Sequence, residues 1–238
     1  MNSEQRTRAW GLGLLLVGGM ALNRLERALT PAPQTETRSG LVAFFAAAGG
    51  ASTLAADWFW LRTNLAWETR DEAGVRALLR LTLAAAPRSE YFRFQAARML
   101  AYDVPRWRIA RNPAAPLAVH DAWRLAGADE AINLVLEEAG DEPERWLEAA
   151  TLTLYARRDR VAATELFGFT ATLSGAPWHA GRIYAQLLVE QGREAEALAW
   201  LRRWLPQLPE DDPGAQRQLV LDRLAALEFE LWSRGEPL

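Results

Sequence analysis

Residues 192–209 read GREAEALAWLRRWLPQLP, and this stretch decides the fold class. Ala197, Leu198, Leu201, Trp204 and Leu205 recur at i, i+1, i+4, i+7 and i+8, which is one face of an α-helix. Arg193, Glu196, Arg202 and Arg203 take the opposite face. Gly192 stands before the helix and Pro209 after it, as start and stop signals. The segment from Trp178 to Gln191 carries Ile183, Tyr184, Leu187 and Leu188 in the same way, so two antiparallel helices are expected here.

The grammar recurs upstream. GADEAINLVLEEAGDEP, residues 127–143, has Ala131 as a small residue on the apolar face, with Pro143 as the expected stop. In RWLEAATLTLYARRDRVAATELF, residues 145–167, Trp146, Ala150 and Ala162 fall at aromatic, small and small positions. AGVRALLRLTLAAAP ends at Pro87. The prolines at 87, 143, 177 and 209 are 56, 34 and 32 residues apart, so the last two intervals have the size of one helix pair. The first interval holds an irregular unit around Pro105, Pro113 and Pro116. Asp212-Pro213 opens a last segment, with Val220, Leu224, Leu227 and Leu231 on one stripe and Gly235 as its stop. Such a closing helix covers the open end of a repeat stack.

These residues resemble the tetratricopeptide repeat, whose unit is about 34 residues long. Gly192 matches its turn glycine, Ala197 the small residue of its second helix and Pro209 its terminal proline. The resemblance spans Asp57 to Pro209 and implies an all-α fold, an α-solenoid of helix pairs. ADWFWLR (56–62) and FQAARMLAYDVP (94–105) are similar to a family of bacterial membrane-anchored repeat proteins that offers no catalytic residues to carry over.

Ahead of the repeats, Arg6 and Arg8 precede the uncharged run Ala9–Asn23, AWGLGLLLVGGMALN. A basic segment before a short apolar one is an export signal. It is shorter than the roughly 20 residues of a free-standing span, but arginines on both sides extend it by snorkelling. Residues 1–29 are therefore expected to be a signal anchor, with cleavage after Ala21 as the alternative. Residues 30–40, TPAPQTETRSG, read as a linker, and 41–238 as the repeat domain. The expected location is the bacterial inner membrane with the soluble domain in the periplasm. The run Leu41–Leu61 contains Asp57 as its only charge and has the length of a second span. Gly49-Gly50 breaks it, and a charge within a span costs about 2.5–3.5 kcal/mol. Two helices or a broken helix are preferred there, with Asp57 as a buried, bonded carboxylate.

Half of the 238 residues are apolar, so a folded chain is expected. The net charge of −3 excludes an electrostatic nucleic-acid binder. The absence of cysteine excludes disulfides and thiolate metal sites. His120 and His179 lack a second ligand at helical spacing, and no nucleophile, zinc or phosphate-loop motif occurs. No cofactor and no enzymatic activity are expected.

What remains is surface. The first helix of each pair lines the groove in such repeats, so partner contacts are expected at Tyr91, Arg93, Arg98, Tyr102, Trp107, Arg145 and Trp146. Arg98 is expected to be free enough that charge reversal spares the fold. Trp58, Trp60 and Trp67 are expected to pack near the membrane. The function these readings predict is a tethered scaffold that holds a protein or peptide. The alternative is an accessory subunit of a membrane complex for transport, pilus or redox work.

Overall fold

A computed structural model describes residues 51–235. The expected anchor, the linker and residues 41–50 lie outside these residues. Among the described residues there are nine helical rods and no strand. They divide into two compact units, meeting in sequence between Ala96 and Ala97.

The first unit is built on α1 (Ala51–Glu68) and α2 (Glu72–Ala85), followed by the start of α3 (residues 90–111). Asp71 caps α2, its carboxylate accepting from the Gly74 N–H at 3.1 Å. Ala55, Ala56 and Phe59 of α1 pack on Leu78, Leu81 and Ala85 of α2. Burying Phe59 or Leu81 in this way stabilises by about 1.5–3 kcal/mol each. Thr63 and Thr82 are fully buried and donate to the carbonyls of Phe59 and Leu78, at 2.8 and 2.9 Å, so no hydroxyl is stranded. Asp57 departs from expectation. It lies on the exposed face of α1, because the buried face turns through positions 55, 56, 59 and 63.

The second unit begins inside α3. That helix runs as Glu90–Arg98, a π-helical turn Met99–Asp103, and Val104–Arg111. Pro105 has no N–H to return to the preceding turn, and the widened turn stands where a regular helix would clash with its ring. The following α4 (Leu117–Leu136) approaches closely here. A Cβ on Gly127 would lie 2.6 Å from the Leu100 carbonyl oxygen and from the Pro105 ring. Next come α5 (residues 143–157, its last turn Thr153–Arg157 π-helical), α6 (Arg160–Thr172), α7 (Trp178–Glu190), α8 (Glu194–Trp204) and α9 (Arg217–Ser233). From α4 onward each packs on its neighbours in sequence.

α7 begins 35 residues after α5, at Trp178 against Pro143, and α8 begins 34 after α6, at Glu194 against Arg160. The two inter-helix turns match as well. Gly192 has φ +71°, and Arg158, 34 residues earlier, holds the same left-handed conformation at φ +64°. Ala197 is fully buried at the helix crossing, as its spacing predicts. Its counterpart is Ala163, also fully buried, rather than the expected Ala162, which is half-exposed; a one-residue step turns a helix by about 100°. Pro143 does not stop α4, which ends at Leu136; it opens α5, where a missing N–H costs nothing. Val220, Leu224, Leu227 and Leu231 of α9 all lie buried against α8 and its surroundings. Asp212 caps only a short 3₁₀ turn, Pro213–Ala215, and the closing helix starts at Arg217.

Candidate partner-binding surface

The expected contact residues separate into three groups. Arg93 and Trp107 are buried, at 4% and 6% exposure. Arg93 donates from Nη2 to the Pro87 carbonyl at 2.8 Å, which ties down the turn ahead of α3. Neither side chain is presented at the surface, and both are corrections to the expected groove. Helical period gives the direction of each side chain, but only the neighbouring helices decide how deep it lies.

A second group serves helix ends. Arg145 donates to the carbonyls of Glu137 and Glu138, each at 3.0 Å, satisfying acceptors beyond the end of α4. Trp146 donates from Nε1 to the Gly140 carbonyl at 2.8 Å, and its ring meets Phe169 edge-on at 4.7 Å. Both stay half-exposed.

The third group is gathered into one cluster. Arg98 of α3 and Glu148 of α5, 50 residues apart in sequence, form a bidentate pair with both bonds at 2.8 Å. Glu148 is buried while half of the Arg98 side chain is exposed, so the pair spans from core to solvent. Tyr102 stands beside it, 42% exposed. Burial, then the Glu148 carboxylate, holds its phenol above the ordinary tyrosine range. It therefore stays a neutral hydroxyl. Tyr155 of α5, 65% exposed, is near enough to act on Tyr102 electrostatically. The Arg98 charge is not free, because it neutralises a buried carboxylate, which counts against charge reversal there sparing the fold.

Sequence reasoning did not single out Glu148 or Tyr155. Glu148 interrupts an alanine-rich helix, and Tyr155 follows it at i+7 on the same face, a signal that could have found them. Both π-helical turns, Met99–Asp103 and Thr153–Arg157, adjoin this cluster, and such turns gather at functional sites.

In the first unit, Trp58 and Trp67 are partly exposed, at 38% and 39%. Trp60 instead turns inward, packing on Tyr91 and Phe92 at 6.0 and 5.5 Å. Tyr91 keeps 58% of its surface. Leu54, Trp58, Leu61 and Leu65 are all exposed and fall at i, i+4, i+7 and i+11, an apolar stripe opposite the core face of α1. No helix among the described residues is long and apolar enough to cross a membrane.

No protein-family model, no curated protein and no solved structure matches the chain.

Proposed function

We propose that this protein is a non-catalytic interaction scaffold of tetratricopeptide-like helix pairs, tethered to the bacterial inner membrane by its N-terminal segment and holding a protein or peptide on its soluble, periplasmic part. The observation that carries this reading is the Arg98–Glu148–Tyr102–Tyr155 cluster. The first helices of two consecutive pairs meet there, with two partly exposed tyrosines flanking a fixed charge pair. Tyrosine and arginine are the residue types that dominate binding hot spots, and a pair already locked by bonds loses little freedom on association. The repeat offsets of 34 and 35 residues and the matched left-handed turns at Arg158 and Gly192 support the repeat reading.

The exposed stripe of Leu54, Trp58, Leu61 and Leu65 favours a second reading, an accessory subunit whose α1 packs on another component of a membrane complex. Purification in mild detergent with mass spectrometry separates the two. A scaffold yields a partner that is lost when Tyr102 and Tyr155 are both changed to Ala, with the melting temperature unchanged. A subunit yields a fixed-stoichiometry complex that ignores those changes and is lost on Leu61→Glu. Retention of every partner in the double tyrosine variant overturns the scaffold reading.

A further inference from the structure

The last helix of the stack, α9, closes it with one face only. Val220, Leu224, Leu227 and Leu231 are buried on the side of α8, and the opposite face is in water. A helix that ends a repeat stack needs a polar outer face to be soluble by itself. The outer face of α9 is apolar instead: Leu219, Leu221, Ala225, Ala226, Phe229 and Trp232 are all exposed. Phe229 and Trp232 keep 68% and 66% of their surface, and their ring centres lie 6.1 Å apart. Asp222 is the one charge between these residues, and it accepts from the Gln218 amide at 2.8 Å.

What this face fits follows from its own pattern. A two-fold axis passing midway between Ala226 and Leu227 would lay a copy of α9 antiparallel on it. Leu221 then comes level with the partner's Trp232. Phe229 comes over the partner's Ala225, a large side chain on a small one, with about 1.5 Å between their levels along the helix. Ala226 lies beside the axis, where a small side chain lets two helices approach. Arg223 comes level with the partner's Glu230. At about 100° per residue, Arg223 and Glu230 lie within about 20° of each other on one flank of α9, and that flank meets its own copy across the axis. Arg223 has no carboxylate partner among the described residues; it donates to the Gln186 side-chain oxygen at 3.3 Å. Glu230 shares Arg234 with Glu194. A lipid surface is the poorer fit. Residues 217–234 carry three arginines and three carboxylates, whereas an anionic bilayer attracts a basic face.

We propose that α9 is a self-association surface through which two copies of the chain pair antiparallel about a two-fold axis, Phe229 and Trp232 of each copy seated on Ala225 and Leu221 of the other. Such a contact uses every residue pair twice and closes at two copies. It covers a single helix face on each copy, which is less than a standard interface, so the dimer is weak. The pairing is independent of the anchor and of the tyrosine cluster on α3 and α5.

The test uses the full chain in density-matched mild detergent and sedimentation equilibrium. The parent should show a monomer–dimer equilibrium. Phe229→Glu should remove the dimer at unchanged helix content. Leu61→Glu should keep it, and so should the double variant Tyr102→Ala with Tyr155→Ala. Arg223→Glu and Glu230→Arg should each weaken the dimer about tenfold, because two symmetry-related pairs are lost, each on the scale of an exposed ion pair. The two changes together should restore it. The chain has no cysteine, so Ala226→Cys gives a second readout. Beside the axis it should form a disulfide-linked dimer on mild oxidation, and Ala199→Cys on α8 should not. A parent that stays monomeric at submillimolar concentration overturns the proposal. So does a dimer that survives Phe229→Glu, a charge swap that restores nothing, or cross-linking of Ala226→Cys no greater than that of Ala199→Cys.

Discussion

Arg98 and Glu148 tie the stability of the fold to the surface proposed for binding. Glu148 is 8% exposed, and a carboxylate at that depth requires its partner. Replacing Arg98 by Glu sets a second carboxylate against it. We expect a loss of about 1–3 kcal/mol, reduced from the value of a fully buried pair because half of the Arg98 side chain is in water. Thermal unfolding checks this, and the swapped variant Arg98→Glu with Glu148→Arg should recover part of the loss. A single variant as stable as the parent would show that the pair contributes nothing. The sequence pointed to Arg98 as a charged residue on a groove-lining helix, but its partner was illegible. Nothing local to Arg98 selects a glutamate 50 residues away, because that choice is made where α3 and α5 meet.

Among the elements, the α7–α8 pair is the most regular, and its crossing tests the register. Ala197 is fully buried there and Ala199 is exposed on the other side of α8. Ala197→Leu should overpack the crossing and cost about 1–3 kcal/mol, whereas Ala199→Leu should leave the melting temperature nearly unchanged. Equal melting temperatures would reject the register. This much was legible in the sequence, since apolar positions at helical period, a turn glycine and a small crossing residue are local signals. The irregular α3 was less legible. Its π-helical turn answers both Pro105 and the close approach of Gly127 on α4, and the second of these comes from another helix. The registers of Ala162 and Pro143 failed for a related reason. Neighbouring alanines at 162 and 163 offer two equivalent small positions, and a proline before a helix reads like one after it until the helix is placed.

For the whole molecule, the segment ahead of the helices bears on where the protein resides. The apolar run Ala9–Asn23 between arginines predicts that the protein sediments with membranes and resists carbonate extraction. A soluble mature protein beginning at Leu22 would reject the anchor. The stripe of Leu54, Trp58, Leu61 and Leu65 gives the membrane-side reading a specific surface. The tyrosine cluster and the outer face of α9 give the second unit two separate ones. None depends on a reacting group, consistent with a protein proposed to work through contact.

The sequence by itself determined that the described chain is helical, where the α7–α8 pair turns, and which face of the later helices is apolar. Those properties follow from backbone preference and spacing within a dozen residues. Only the tertiary structure decided which polar and aromatic side chains reach solvent. Arg93 and Trp107 went inward, Tyr102 and Tyr155 stayed outside, and Asp57 was left in water. It also decided that Trp200, which the helical pattern left off the apolar face, packs half-buried against Tyr184 and the buried Trp204. Helical period fixes the direction of a side chain from its own axis. Whether another helix stands in that direction depends on contacts far along the chain.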